Sequence, residues 1–563
     1  MRSLLASFLV LVVAATGYVP PAGGSTSPER PADRSTAAQS QPATGDVIVY
    51  GGTSAGVVAA VRAARMGASV LLIEPGRHLG GLSAAGLGAT DIGNKASIGG
   101  LSREFYRRVG AKYGEAEAWR FEPHVAEQVF NEMVREAGVT VVFGQRLDLA
   151  GRVIRRAPLK AGDAQPLLRH ADGAAGVIMR GKRIVAVRME SGRVYRARVF
   201  IDASYEGDLM ALAGVGYVIG REGNDVYGET LDGVQTHNAK YHQFIKPVDP
   251  YVVPGRPASG LLPGIDPAGP GVEGGGDHRV QAYCFRMCTT DVPENRRPWR
   301  KPADYDPRRY ELLLRNFEAG DHRVPWSPIM MPHRKTDTNN NFAVSTDYIG
   351  MNYDYPDGDY ATRARIVAEH RSYQQGLMWT LANSPRVPPE VRKHFRRWGP
   401  ARDEFTDNDN WPGQLYIREA RRMVAAYVMT EQNCRGRRRA ADAVGLGSYG
   451  MDSHNVQRYV DANGHVRNEG DVQVHGFKPY PISYRAIVPR RAECTNLLVP
   501  VCVSASHIAY GSIRMEPVFM LLGDSAATAA VLALRADLDV QAVPYAQLAE
   551  RLRAGGQVLA WKR

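Results

Sequence analysis

Apolar and polar positions alternate between two periods along this chain. From Asp46 the run Val47-Ile48-Val49-Tyr50 is apolar on both faces and predicts a buried strand. Gly51-Gly52-Thr53-Ser54-Ala55-Gly56 breaks it with a tight turn. An Ala-rich stretch, Val57 to Met66, then predicts a helix stopped by Gly67. Ala68 to Ile73 is a second buried strand with Glu74 at its tip. Gly176 to Ser204 reads as a hairpin-rich segment ending in a buried strand. Asn496 to Val503 is another apolar strand, and Pro517 to Ala533 a small-residue helix with proline in its first turn. Between these blocks, Pro254 to Gly276 is rich in proline and glycine and predicts a long surface loop. Pro307 to Ala319 and Arg363 to Ala382 are helical, and no internal repeat is evident.

The N-terminus has a different pattern. Met1-Arg2-Ser3, the apolar run Leu4 to Ala15 and the small residues up to Gly17 have the layout of a secretory signal peptide over residues 1–17. The run is shorter than the ~20 apolar residues that span a bilayer, so no stable membrane span is expected after cleavage. Residues 18–45 carry little to bury and read as a disordered linker. The expected location is secreted or extracytoplasmic.

Strand, glycine turn, helix, strand and acid in register have a physical job in binding a dinucleotide. Gly51 permits the sharp turn, Gly56 lets helix and strand approach, and the first helical turn offers free N–H groups to a pyrophosphate. Glu74, about twenty residues on, is placed to accept ribose hydroxyls, and a carboxylate there argues against NADP. Thr53 replaces the second fingerprint glycine, which either shifts the pyrophosphate or offers it a hydroxyl. The same pattern taken alone is also compatible with a structural turn.

After Glu74, the stretch Pro75-Gly76-Arg77-His78-Leu79-Gly80-Gly81-Leu82 opens a second glycine-rich loop, and Asp202-Ala203-Ser204 ends the hairpin segment. These pieces resemble the FAD-contacting segments of glutathione-reductase-type flavoproteins, with Ser204 and Tyr205 departing from the usual Thr-Gly. The chain is similar to the FAD-dependent oxidoreductases associated with xanthan lyases, on Lys335-Thr336-Asp337-Thr338-Asn339-Asn340, Arg418-Glu419-Ala420-Arg421-Arg422, Tyr449 to His454, Tyr484-Arg485 and Gly511 to Pro517. The resemblance implies an α/β fold. A Rossmann-like FAD-binding domain, split over 46–215 and 475–545, would carry an inserted α+β substrate or cap domain at 216–474, with a tail at 546–563. It implies non-covalent FAD. The cofactor set would be Gly51, Gly52, Thr53, Ser54, Ala55, Gly56, Glu74, Pro75, Gly76, Arg77, Gly80, Gly81, Leu82 and Asp202, with Arg514, Met515, Glu516, Pro517, Gly523 and Asp524 from the final motif. Ala527 stands where relatives usually have glycine. His78 offers either a covalent link or phosphate and loop packing.

Composition narrows the class. The 563 residues are 44% hydrophobic and 23% charged, which suits a soluble globular protein of more than one domain. A net charge of +12 invites acidic partners, but it is dispersed. Arg435, Arg437, Arg438 and Arg439 read as a solvated helix end or loop, and no nucleic-acid motif accompanies them. The five cysteines, Cys284, Cys288, Cys434, Cys494 and Cys502, are too scattered for a disulfide scaffold or zinc site and are expected as buried small hydrophobes. Asp403 to Asn410 is acidic, but Trp411 and Pro412 do not suit a calcium loop, and it reads as a polar surface loop with no metal.

For catalysis, His507 is the first candidate base, with a hydrogen-bonded tie between strand and helix as the alternative. Arg514 would hold the flavin or a substrate carboxylate, or pair with Glu516. Tyr484 and His454 are further catalytic candidates. Arg485, Lys335, Asn339 and Asn340 are substrate-contact candidates, though such polar clusters equally cap turns. The leading function is an exported FAD-dependent oxidoreductase. It would move hydride between flavin N5 and a small polar molecule, such as a sugar, uronic acid or other hydroxy compound, with an electron acceptor the sequence does not identify. A reductase of an activated C=C bond, an NAD-linked dehydrogenase and a non-catalytic binding protein are the alternatives.

Overall fold

The computed structural model describes residues 43–159, 167–173 and 175–561, so the expected signal peptide and nearly all of the expected linker lie outside the described residues. The described residues pack as one unit. At its centre is a seven-stranded sheet. Ala43–Tyr50 lies parallel to Val70–Glu74 on one side and to Val194–Asp202 on the other, and Thr140–Phe143 extends the parallel set beyond Val70–Glu74. Leu497–Leu498 adds a parallel strand against Phe200 and Ile201, from about 300 residues downstream. The hairpin strands Val177–Arg180 and Arg183–Arg188 continue the sheet in antiparallel sense, as the hairpin-rich pattern predicts.

The sheet and its helices form because the local pattern leaves little choice. Val47, Ile48 and Val49 are fully buried, as are Leu72 and Ile73, in a sheet against which the helices Ser54–Arg65 and Glu516–Ala536 pack. The helix Ser54–Arg65 follows the glycine turn, and the terminal helix Glu516–Ala536 packs against it. Glycines allow two close approaches here, of the fingerprint helix to its own turn and of the terminal helix to the fingerprint helix. A Cβ at Gly56 would stand 1.8 Å from the Gly51 carbonyl, and one at Gly523 would stand 2.3 Å from the Ala55 carbonyl. Glu516–Ala536 is long and apolar enough to cross a bilayer by length and composition, but 89% of its apolar window is buried inside the protein, where it serves as a core helix.

Three segments differ from the sequence-based expectation. Ala43 to Gly45, counted as linker, pair with Tyr195 to Ala197 and belong to the first strand. The expected tail contains the helix Tyr545–Ala554, which buries Leu548, Ala549 and Leu552, while Gln557 donates to the Leu521 carbonyl of the terminal helix. A four-stranded sheet made of Val153–Pro158, Leu167–Asp172, Tyr217–Val218 and Arg422–Met423 straddles the boundary expected at residue 215. A second four-stranded sheet, with Trp326–Met330, Lys335–Asn340, Cys288–Thr290 and Gly399–Pro400, lies wholly in the middle segment. All five cysteines are buried and free. Pro254 to Gly276 is largely loop, and the helix Tyr360–Asn383 contains the expected 363–382.

Candidate active site

Four motifs far apart in sequence converge on one carboxyl. Glu516, at the start of the terminal helix, accepts hydrogen bonds from Ser54 Oγ of the fingerprint helix at 2.5 Å, Tyr205 OH at 2.8 Å and Ser83 Oγ of the second glycine loop at 3.4 Å. Burial raises its carboxyl to about 7, against the pull of those donors. Tyr205 OH also accepts from Leu82 N at 2.9 Å, which ties the Gly80-Gly81 loop to the same node.

Beside this node lies a cavity of about 330 Å³, a size that suits part of a dinucleotide. Gly52, Thr53, Glu74, Gly76, Arg77, Gly81, Ala84 and Ala85 form one wall. Glu74 accepts from Gly52 N at 2.6 Å and Gly76 N at 2.5 Å, and burial raises its carboxyl to about 7. Thr53 caps the fingerprint helix. Its hydroxyl donates to the Ala203 carbonyl at 2.7 Å and accepts from Gly56 N at 3.2 Å, so the departure from glycine is absorbed inside the turn. Side chains at Gly52 and Gly81 would crowd this wall, with Cβ atoms 2.6 Å from Leu79 Cδ2 and 2.4 Å from Tyr205 OH. Backbone running close to the cavity, an acid at the second strand's tip and a helix N-terminus form a cradle that fits FAD.

The opposite wall corrects the reading of Asp403 to Asn410 as a mere surface loop. Phe405, Thr406, Asp407 and Asn408 close the cavity. His78 bridges to them through hydrogen bonds to Glu127 at 2.8 Å and Asp407 at 2.9 Å, and the Glu127 bond, first among the causes, raises His78 to about 9. His78 therefore packs a loop. Glu404 is buried, and the Lys335 ammonium sits among Glu404 at 2.6 Å, Glu122 at 2.7 Å and Asp403 at 2.8 Å. Glu122, His124 and Glu404 present ligand atoms within 4.8 Å of one another, and Lys335 supplies the positive charge in that cluster. As a buried ion-pair centre, Lys335 is not positioned as a substrate contact.

The family profile of FAD dependent oxidoreductases matches residues 46–552. The chain belongs to that family. A search of curated proteins finds no match. Among solved structures, the chain is similar to a THI4 protein from Thermovibrio ammonificans at 18% identity and TM-score 0.20, covering 30% of this chain and 59% of that one. It is also similar to an L-amino acid deaminase from Proteus vulgaris at 14% identity and TM-score 0.22, covering 32% and 53%. A third likeness is to a 3-ketosteroid-Δ4-(5α)-dehydrogenase from Rhodococcus jostii RHA1, at 15% identity and TM-score 0.18, covering 31% and 49%. The matched part is thus about half to three-fifths of those proteins' own lengths. With that family membership, the chain has an FAD-binding Rossmann-like fold.

Several expected site residues have other duties in this flavoprotein. The Asp202 carboxylate accepts from Ser204 N at 3.1 Å, Ser204 Oγ at 2.6 Å and Met210 N at 2.8 Å, so it shapes the turn after its strand. Asp524 pairs with Arg62 at 2.5 Å and 2.8 Å and ties the terminal helix to the fingerprint helix, the same seam that Gly523 packs. Ala55 lies on that seam, and Met515 and Pro517 are buried at the terminal helix's start. Pro75 links Glu74 to Gly76 at the cavity rim. Tyr484 OH donates to the Val540 carbonyl at 2.7 Å inside the core, and Arg485 pairs with Asp442 at 3.0 Å on the surface. His507 is 2% exposed. Its Nδ1 bonds Glu419 at 2.8 Å, its backbone N–H donates to Glu222 at 3.1 Å, and Arg422 pairs with both acids at 2.6 Å. That network makes His507 the strand-to-helix tie, and it lines neither the nucleotide cavity nor the polar cavity that His454 lines.

His454, Asn339 and Asn340 do meet. They line a polar cavity of about 240 Å³ together with His242, Ser327, Tyr449, Asp452 and His475. His454 Nδ1 bonds Asp347 Oδ2 at 2.6 Å, and Asp347 Oδ1 accepts from Arg418 Nη2 at 2.8 Å. Burial alone would raise Asp347, but Arg418 and His454 hold it well below the usual carboxylate range. Burial, reinforced by Arg418, lowers His454 to about 4, so its ring is neutral at pH 7. An ionised Asp347 can only accept, so Nδ1 carries the proton and Nε2 keeps its lone pair.

Arg514 joins the two regions. It is not paired with Glu516: Nη1 donates to Tyr416 OH at 2.8 Å, Nη2 donates to the Asp452 carbonyl at 2.9 Å, and its buried Nε has no partner among the described residues. Asp452 belongs to the polar cavity and Gln414, two residues before Tyr416, to the nucleotide cavity. Sequence reasoning missed Asp347, Arg418, Tyr416, Asp452 and His242. The Arg418 and Tyr449–His454 motifs were visible, but nothing local to them signals that they share a site.

Proposed function

We propose that this flavoprotein oxidises a small hydroxy compound held in the 240 Å³ cavity, with His454 as the base. The single observation carrying this reading is the Asp347–His454 pair, which presents a neutral imidazole with an open Nε2 in a polar cavity walled by Asn339, Asn340 and Asp452. Asn339 Oδ1 accepts from Arg286 Nη1 at 2.9 Å, and Arg286 Nε donates to Asp337 at 2.6 Å, which fixes that wall. Asp337 in turn accepts from Ala89 N at 3.1 Å, in the chain that follows the second glycine loop.

The residues that would hold FAD are Gly51 to Gly56, Glu74 to Arg77, Gly80 to Leu82 and Glu516, with Arg514 close by. FAD, when bound, supplies the two-electron acceptor for hydride. The chain's own contribution is to take the substrate's O–H proton on His454 Nε2, to orient its oxygens with the two asparagines, and to keep a buried cation, Arg514, beside the cavity. The 216–474 segment is proposed as the substrate-shaping part, since nearly every wall residue of this cavity comes from it. Export through the 1–17 signal is proposed on the N-terminal pattern, and N-terminal sequencing of the native protein tests it.

The decisive experiment is a dye-acceptor screen of sugars, uronic acids and other hydroxy compounds with the holoenzyme, repeated with His454→Gln. The expected loss in kcat is about 100-fold or more with FAD content unchanged. Undiminished turnover in that variant would reject the cavity as the site of chemistry.

A further inference from the structure

Three histidines line the 240 Å³ cavity, and the surroundings of two of them, His454 and His242, force opposite tautomers. His454 is the Nδ1–H form, for the reason given above. His242 is the reverse. The Phe342 backbone N–H donates to His242 Nδ1 at 2.9 Å, and a backbone N–H can only donate, so Nδ1 holds the lone pair. Burial lowers the His242 pKa, so the ring carries a single proton at neutral pH, and that proton resides on Nε2. Asp471 Oδ2 stands 3.9 Å from this Nε2, beyond hydrogen-bonding distance.

The fold holds this arrangement at a conformational cost. His242 has φ +49° and Phe342 φ +60°, both in the left-handed region that non-glycine residues seldom occupy. Asn468 pins both segments, donating through Nδ2 to the His242 carbonyl and the Ala343 carbonyl, each at 2.8 Å. Strain of this sort persists only where surrounding contacts over-determine it, and it gathers at functional sites.

We propose that His242 Nε2–H donates a hydrogen bond to the substrate oxygen whose proton His454 Nε2 accepts, so that the cavity selects a C–OH group. This rests on the reading of the cavity as the substrate site. The pair discriminates by inventory. A hydroxyl has both a proton to give and a lone pair to receive one. An ammonium group has no lone pair for His242, and a carboxylate or ketone brings no proton for His454. His242 is thus a specificity-determining contact, distinct from the base.

The test joins a spectroscopic and a kinetic arm. In ¹⁵N-resolved histidine spectra of the cofactor-free and FAD-loaded protein at pH 7, two ring systems should show opposite neutral tautomers, assigned by their loss in His242→Asn and His454→Gln. A doubly protonated or Nδ1–H His242 would overturn the proposal. For the kinetic arm, hydroxy acids and polyols are assayed beside their amino and keto counterparts, with turnover expected of the alcohols alone. Asparagine tolerates positive φ and can still accept from Phe342 N–H, but it cannot reach as a distal donor. His242→Asn should therefore fold and lose about 10- to 100-fold in kcat/KM, the scale of one buried hydrogen bond. His242→Gln, which restores a distal N–H, should recover most of that loss. If His454→Gln abolishes turnover while His242→Asn leaves kcat/KM unchanged, this inference alone falls. If His454→Gln is also silent, the cavity reading fails first.

Discussion

The Glu74 carboxyl should make the affinity for FAD a function of pH. It accepts two backbone N–H groups, from Gly52 and Gly76, yet burial still raises it to about 7 in the cofactor-free protein. Ribose hydroxyls donating to it would favour the ionised form, so binding should expel a proton and affinity should fall as pH drops through 7. With a carboxyl at about 7, roughly nine-tenths is ionised at pH 8 and one-tenth at pH 6, so the dissociation constant should rise about tenfold between them, or about 1.4 kcal/mol. Glu516, also raised to about 7, can add a second factor of similar size if it too releases its proton. Glu74→Gln separates the two. It should weaken binding at pH 8 by about 1 to 3 kcal/mol, the value of a lost charged hydrogen bond, and remove one factor of ten from the pH dependence. The assay is quenching of FAD fluorescence on titration with cofactor-free protein at pH 6, 7 and 8. A Glu74→Gln variant that keeps the full wild-type slope would refute the argument.

Three further outcomes follow from contacts elsewhere. Gly523→Ala drives a methyl to 2.3 Å from the Ala55 carbonyl, so it should cost about 1 to 3 kcal/mol by prising the terminal helix off the fingerprint helix; unchanged urea unfolding would contradict this. Lys335→Met leaves Glu122, Asp403 and Glu404 facing one another without their cation, an expected loss of about 3 to 5 kcal/mol. The loss should be smaller at pH 5 than at pH 8, because the unpaired acids can then take up protons; an equal loss at both would point to packing instead of charge. His507→Ala should lower the melting temperature by removing one of the partners of the buried Glu419, which Arg422 and Gln281 still hold, yet keep kcat within about threefold, well short of the loss of a base. A collapse of turnover with FAD still bound would return His507 to the chemistry.

The nucleotide end was legible because its information is local. A buried strand, a turn that only glycine can make, an Ala-rich helix and an acid at the next strand's tip lie within about thirty residues, and backbone sterics and hydrophobic period dictate each piece. The terminal helix was legible for the same reason, since unbroken small and apolar residues have nowhere to go but the core. The polar cavity was legible only in part: His454, Asn339 and Asn340 stood among the candidates, with nothing to separate them from the rest. Lys335, Tyr484, Arg485, His507 and Asp524 are as polar and as prominent in their motifs as His454, but the fold commits them to other contacts: buried polar groups such as Lys335, Tyr484, His507 and Asp524 must find partners, and Arg485 pairs with Asp442 at the surface. His242, Asp347, Arg418 and His454 come together only when strands and loops about two hundred residues apart close on one cavity. A one-dimensional pattern records which face of an element is apolar. Which polar side chains then share a dielectric environment, and which ring nitrogen keeps its proton, is set by contacts between elements, and those exist only in the folded chain.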